Sequence, residues 1–344
     1  PTTGLTGELL LEIPTRLLVR AGLASNRGML LLGFLVGVFF QFDEQIQKYI
    51  DVDSIFKWFS ESSDQTRIIL ITIPAIVAIL ILFRLLGVAW YVLRFHGYRL
   101  TRIGDDLRIT CGLFTLVSAT VPRPRIQFIS IHRNLFMRWM RLASIRIETA
   151  GGSGKESQDA AKTVSSRWFV PVLPESRVPE IMAQLRPGLA WNEEAFDWKS
   201  ISPRAHIRLS RLAVLGSLLI GIAGFAATRP WGWTLGVAAL PVLVFLAIKK
   251  SRSKRYARTN DCVVYRSGIF TSRTSVTFFE KIQTVRLDES PFDRRWKMAS
   301  LCIDTAAAGP ADHRIQIRYL TGDFARREFD EIVRQSSEQL PVFG

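Results

Sequence analysis

Four uncharged apolar runs interrupt this chain, and they restrict its backbone more than anything else in the sequence. They cover residues 29–42, 68–83 (continuing past Arg84 as LLGVAWYVL), 212–227 and 231–248. In lipid every backbone N–H and C=O must find its partner inside the segment, which selects helix. A span needs about 20 residues. The second and fourth runs reach that length, while the first and third need flanking residues to cross. The competing reading of each short run is a soluble core helix. Pairing decides against it, because each short run precedes a long one and no polar face interrupts any of them. Pro74 and Pro241 are tolerated because neighbouring helices satisfy the freed carbonyls.

Only Thr228, Arg229 and Pro230 separate the last two runs, which predicts a tight helical hairpin. The first two are joined by an acidic segment holding Asp43, Glu44, Asp51, Asp53, Glu61 and Asp64. The outer flanks are basic: Arg16, Arg20 and Arg27 before the first hairpin, then Arg94, Arg99 and Arg102 after it. The second hairpin lies between Lys199, Arg204, Arg208 and Arg211 on one side and Lys249, Lys250, Arg252, Lys254, Arg255 and Arg258 on the other. The positive-inside rule puts all four flanks in the cytoplasm. A net charge of +15 beside a mean hydropathy of +0.17 is then explained without a nucleic-acid partner. Arg84 lies near the cytoplasmic end of its span, where it is expected to snorkel.

The regions following the hairpins repeat one another. Ile126-Gln127 matches Ile282-Gln283, Phe136 matches Phe292, Ala143-Ser144 matches Ala299-Ser300, and Ile147 and Thr149-Ala150 match Ile303 and Thr305-Ala306, always 156 positions apart. Leu107, Ile109, Cys111 and Leu113 alternate with polar residues, which is strand periodicity, and SIRIET puts Ile145 and Ile147 on one face. Gly104-Asp105-Asp106 and Thr259-Asn260-Asp261 are turn chemistry. Gly112 and Gly268 mark a matching bend or bulge. LFMRWMRL, from Leu135, lacks alternation and predicts a short helix. Val178, Ile181, Met182 and Leu185 predict an amphipathic helix closing the first module, and Ala325, Phe329, Ile332 and Val333 one closing the second.

The expected organisation is a cytoplasmic lead-in (1–27), a transmembrane hairpin with an acidic outer loop (28–94), a β module (95–190), a linker (191–210), a second hairpin (211–249) and a second β module (250–340). Pro1 in place of Met reads as a fragment or processed form, with room for an earlier unit.

Arg125-Ile126-Gln127, Phe136, Leu142-Ala143-Ser144 and Ile147-Glu148-Thr149-Ala150-Gly151-Gly152 carry a family resemblance. So do Lys281-Ile282-Gln283, Phe292, Met298-Ala299-Ser300 and Ile303-Asp304-Thr305-Ala306. The pattern resembles the bacterial pleckstrin-homology-like multi-pass membrane proteins. That resemblance implies a membrane α plus β fold: two transmembrane helical hairpins, each followed by a cytoplasmic PH-like, partly open β-barrel with a C-terminal helix. It implies no reaction. The second copy departs at Ala307-Ala308, where the first has Gly151-Gly152, so a differently shaped hairpin is expected there.

Nothing in the sequence assembles a catalytic site, a cofactor site or a metal site. GGSGKE at 151–156 fails as a phosphate-binding loop twice, with Thr149 where a Gly is needed and Glu156 where Ser or Thr is needed. His96, His132, His206 and His313 are dispersed. Cys111, Cys262 and Cys302 form no CxxC and read as reduced thiols. Asp105, Asp106 and Asp261 at the first turns would oppose a bound phosphate, so no phosphoinositide selectivity is expected. Weak, salt-sensitive contact with acidic lipid is expected from the basic flanks. Arg125, Gln127 and Arg138, with their repeats Lys281, Gln283 and Arg294, are the candidate interaction surface. The leading expectation is a scaffold or adaptor of the bacterial plasma membrane that binds the bilayer and a protein partner, or assembles as a homo-oligomer. Its rivals are a lipid or solute transporter component built on the hairpins and a membrane-embedded enzyme.

The charge asymmetry generates a topological test. A cysteine in place of Ser62 should react with an impermeant thiol reagent on intact cells, and one in place of Ser157 only after permeabilisation; the reverse pattern overturns the assignment.

Overall fold

A computed structural model of the chain describes residues 7–25, 33, 37, 41, 65–150, 169–228, 231–306 and 314–339. Apart from those three single positions, the first apolar run and the acidic segment after it lie outside the described residues. So do GGSGKE and the Gly151-Gly152 and Ala307-Ala308 positions.

The order is β1 (Glu8–Glu12), α1 (Thr15–Ala24), α2 (Gln65–Phe95), β2 (Arg99–Ile103), β3 (Asp106–Cys111), β4 (Val117–Pro122), β5 (Ile126–Asn134), α3 (Leu135–Trp139), β6 (Leu142–Thr149), β7 (Val170–Pro174) and α4 (Val178–Leu185). The chain continues through β8 (Lys199–Ser200), α5 (Ala205–Thr228), α6 (Trp233–Arg252), β9 (Arg255–Arg258), β10 (Cys262–Ser267), β11 (Thr271–Phe278), β12 (Ile282–Asp288), α7 (Pro291–Arg295), β13 (Met298–Thr305), β14 (Arg314–Thr321) and α8 (Gly322–Gln339). It divides into two compact units. One is Leu11–Arg99 with Thr110–Leu116, and the other is Pro1–Leu10, Leu100–Ile109 and Val117–Gly344.

Among the described residues three helices are long and apolar enough to cross a membrane: Leu70–Phe95, Ala205–Ala226 and Trp233–Arg252, with mean hydropathies of 2.5, 1.8 and 1.6. Small residues let α5 and α6 approach closely, as membrane helices require in the absence of a hydrophobic drive. A Cβ on Gly236 would sit 2.7 Å from the Cα of Gly221. In the smaller unit α1 packs on α2 through Leu18, Ala21 and Gly22. Arg84, expected to snorkel, has protein partners. Its guanidinium bonds the carbonyls of Ser25 (3.0 Å) and Leu23 at the end of α1, the unpaired acceptors that a helix C-terminus leaves.

The strands form three antiparallel sheets, ordered β1-β2-β3-β4, β7-β6-β5-β11-β10-β9-β8 and β12-β13-β14. In each repeat the first of four strands, β1 or β8, comes from the lead-in or linker before the helices, the three strands after the helices complete that set, and a three-stranded meander follows. The large sheet is the first module's three strands fused to the second module's four. The join is β5 against β11, from Thr271 opposite Asn134 to Val276 opposite Ile129.

The repeat holds down to single dihedrals. The 3-10 turns Arg123–Arg125 and Phe279–Lys281 are 156 residues apart, as are α3 and α7. Asn134 caps α3 by accepting from the Met137 N–H at 2.7 Å, and Ser290 caps α7 in a capping box with Asp293. Arg141 and Lys297 both turn through positive φ, at 53° and 52°. Gly112 and Gly268 have φ of 117° and 108°, which side chains with a Cβ rarely adopt. This turn also ends the alternation that the sequence predicts through Leu113. Leu107, Ile109 and Cys111 are buried, but Leu113 lies beyond the turn and is exposed.

All four residues predicted to line the face of α4 are buried. On α8 the buried stripe is Ala325, Glu328, Ile332 and Ser336, while Val333 is exposed. The helix is rotated from the expected face because Glu328 has partners underneath it.

A Cβ at Gly112 or Gly268 would collide with the carbonyl oxygen three residues on, whereas at Gly104 (φ 62°) it meets open space. Gly268→Ala and Gly112→Ala should therefore each lower stability by about 2 kcal/mol or more, and Gly104→Ala by about 1 kcal/mol. Chemical denaturation of the detergent-solubilised chain should resolve that order, and an equal cost at all three would refute the steric account.

Candidate functional site

The β5–β11 join puts polar side chains of one module against the backbone of the other. Lys281 Nζ donates to the carbonyl of Pro124 at 3.1 Å. Arg138 Nη1 donates to the carbonyl of Ile269 at 3.3 Å. Arg186, just past α4, forks onto both carboxylate oxygens of Glu280 at 2.9 and 2.8 Å and lies over the Phe278 ring. Arg273 lies over Phe128 at 5.7 Å, and Phe128 belongs to the core cluster around Tyr256, Val263, Phe279 and Leu301. The seam is thus an internal protein–protein contact, made of main-chain pairing, forked ion pairing and one apolar anchor.

The six residues singled out in the sequence differ within each repeat pair. Gln127 is buried on β5, Arg138 bonds across the seam and Lys281 closes it. Arg125 is exposed on its turn, with its carbonyl accepting from Ala150 N–H at 2.9 Å. Gln283 and Arg294, the second-copy equivalents of Gln127 and Arg138, are exposed. In the Arg138/Arg294 and Arg125/Lys281 pairs one member bonds across the seam and the other is exposed, the bonding member coming from the first copy in one pair and the second copy in the other.

Beside the seam a cavity of about 220 Å³ is lined by Asp105, Arg123, Arg186, Glu280 and Lys281 with apolar neighbours. Its charges pair among themselves. Arg123 forms an ion pair with Asp105 and Arg186 with Glu280. Burial works to raise the Glu280 carboxyl, but hydrogen bonds from Arg186 and Lys281 outweigh it and hold the group below its ordinary value.

A larger cup of about 820 Å³ lies where α5 and α6 meet the second module. Leu209, Leu212, Leu243 and Leu246 form its apolar wall. Lys250, Lys254, Arg273, Arg314 and Arg318 also line it, with no carboxylate among the lining residues. Burial, then Lys250 and Arg318, push the Lys254 ammonium down to about 8, and it lies over the Tyr319 ring at 5.1 Å. The sequence marks Lys250 and Lys254 as topology signals. It gives no hint that Arg273, Arg314 and Arg318, from distant strands, join them.

Two buried ion networks complete the polar interior. Glu328 accepts from the Tyr256 hydroxyl and pairs with Lys199 and Arg258, each at 3.3 Å. Burial above all, then the bond to Glu328, raises the Tyr256 hydroxyl far above its ordinary range. Arg133 on β5 pairs with Glu175 at 2.8 Å and Glu193 at 2.6 Å, and Glu193 also faces Arg266 at 3.8 Å. The stretch expected as a plain linker thus ties the two modules together. A charge on the apolar face of α8 was the one available signal for Glu328. His132 is pushed down to about 3 by burial, Arg146 and Arg273, so it stays neutral near pH 7. No group of three His, Cys, Asp or Glu suited to a metal ion occurs among the described residues, and the three cysteines are buried free thiols.

Apolar helices of spanning length joined to duplicated antiparallel β modules define a transmembrane protein with PH-like modules. The Bacterial PH domain family matches twice, at residues 55–187 and 210–338, and the chain belongs to that family. The first match takes in α2 and the strands after it, and the second takes in most of α5, all of α6 and the strands that follow. A curated relative, the UPF0699 transmembrane protein YdbT of Bacillus subtilis (strain 168), is 20% identical over 273 residues. The similarity covers 78% of this chain and 53% of the relative, so the chain spans about half that protein's length. No solved structure matches.

The depressed Glu280 carboxyl stabilises the fold above its unfolded value near 4.5, and that contribution is lost as pH falls through the lower folded value. Glu280→Gln should cost on the order of 1 kcal/mol at neutral pH, the pair being partly exposed. The gap from wild type should close below pH of about 4. A gap that is constant with pH would deny the ion pair its role.

Proposed function

We propose that this protein is a multi-pass scaffold of the bacterial plasma membrane, without a catalytic role, whose modules bind other protein. Two helical hairpins hold the chain in the bilayer, both modules face the cytoplasm, and each module's two sheets close into a partly open barrel. The observation that carries this reading is the β5–β11 seam. The PH-like module here already recognises protein by adding a strand to a sheet edge, a mode that takes affinity from main-chain bonds and specificity from flanking side chains. Arg294, the exposed copy of the Arg138 that bonds across that seam, and Gln283, the exposed copy of the buried Gln127, mark where an external partner would engage.

A second reading, contact with acidic lipid headgroups, is favoured by the basic cup at the feet of α5 and α6. An apolar wall beside five cations suits a phospholipid whose acyl chains stay in the bilayer. It is compatible with the scaffold role as an anchor.

Photo-crosslinking amino acids at Gln283 and Arg294, introduced singly into the full chain and activated in native membranes, should yield discrete protein adducts. The same probe at Arg326 on the exposed side of α8 should yield less. Adducts to lipid alone, or equal background at all three positions, would remove the protein-binding role.

A further inference from the structure

The internal seam has a counterpart that is left unmade. Moving 156 residues back from β11 gives β4, and moving 156 forward from β5 gives β12. These are the last strand of the four-stranded sheet and the first of the three-stranded sheet, and neither has a strand on its outer side among the described residues. One chain therefore holds one completed junction of a three-stranded edge with a four-stranded edge, and one free edge of each kind.

Exposure records the difference. Thr274 and Val276 on β11 are 0% exposed, while their equivalents Ser118 and Thr120 on β4 are exposed. Ser130 on β5 is 2% exposed and Gln127 8%, while Arg286 and Gln283 on β12 are exposed. The Ile126–Phe128 irregularity in the pairing of β5 with β6 recurs between Ile282 and Thr284 in the pairing of β12 with β13. Since β5 carries that irregularity and still pairs with β11 beyond it, the bulge does not protect β12.

We infer that β12 of one copy pairs antiparallel with β4 of a second copy, reproducing the internal seam between chains. This rests on the reading of the modules as protein-binding and names the partner. Transposed by the repeat, the β5–β11 register sets Val117 opposite Asp288, Ser118 opposite Leu287, Ala119 opposite Arg286 and Thr120 opposite Val285. Between Val117 and Val121, β4 carries no charged side chain, so Arg286 and Asp288, already paired with each other at 2.9 Å, meet no like charge. Thr284 takes the place of the Phe128 anchor, which makes the contact between copies more polar and more readily reversed than the seam within one. Confinement to a shared membrane offsets that by raising the effective concentration. The two edges differ, so the contact is head-to-tail. It generates a ring or an open row of copies, not a two-fold dimer, and a rotation axis along the membrane normal keeps every copy's spans in one bilayer.

The test uses two differently tagged full-length chains co-expressed in native membranes, one with Ala119→Cys and the other with Arg286→Cys. Mild oxidation should link the two tags, with at least five-fold less product when Arg286→Cys is replaced by Gln283→Cys. Thr120→Cys with Val285→Cys should behave like the first pair, which guards against one variant misfolding. The native cysteines are buried, so unmodified chains should give no product. Absence of product from both pairs, or a product from Arg286→Cys chains with one another, overturns the inference. If Arg286→Cys links instead to a different protein, this inference falls while the scaffold reading stands. If photo-crosslinking at Gln283 and Arg294 also gives no protein adduct, both fall.

Discussion

The β-sheet part of this protein is organised around the pairing of β5 with β11. A strand edge presents a row of main-chain donors and acceptors that must meet water or another strand. Here two edges from different repeats meet each other, and six consecutive residues of β11 are matched with six of β5. The pairing includes the buried polar residues Ser130, Ser272, Thr274 and Ser275. It also carries Phe128 into a core built mainly from the second repeat.

Charge then determines which arrangement the seam adopts. The forked Arg186–Glu280 pair, Lys281 on the Pro124 carbonyl and Arg138 on the Ile269 carbonyl all cross between repeats. Each is worth little alone at a partly exposed site, but together they reward one register. The buried Arg133, held by Glu175 and Glu193, acts differently. Removing one partner would leave a charge in a place where water cannot compensate it. Positive charge thus occurs in three overlapping settings. Some cations flank the apolar helices, some are held in ion pairs, and some line the cup beside α5 and α6, where Arg314 also pairs with Asp304.

The membrane-facing parts follow simpler rules. Without a hydrophobic drive between helices in lipid, close backbone approach supplies the packing, and Gly221 against Gly236 provides it. Arg84 donates to two carbonyls at the end of α1.

Three of the four expected spans, the duplication, the short helix in each repeat and the closing helices were legible in the chain alone, because these follow from local properties: apolar length, period-2 or period-3.6 patterning, turn residues and a constant offset. Gly112 and Gly268 were legible for the same reason, since a backbone demand recurs wherever the local chain recurs. What identical local sequence cannot carry is its surroundings. Ile126-Gln127 and Ile282-Gln283 read alike, yet Gln127 is buried and Gln283 exposed, because a strand distant in sequence covers one edge and not the other. The inward turn of Glu328, the tie through Glu193 and the gathering of Arg273, Arg314 and Arg318 around one cup have the same origin. Each depends on which segments far apart along the chain come together, a choice made by edge pairing and burial in the folded molecule.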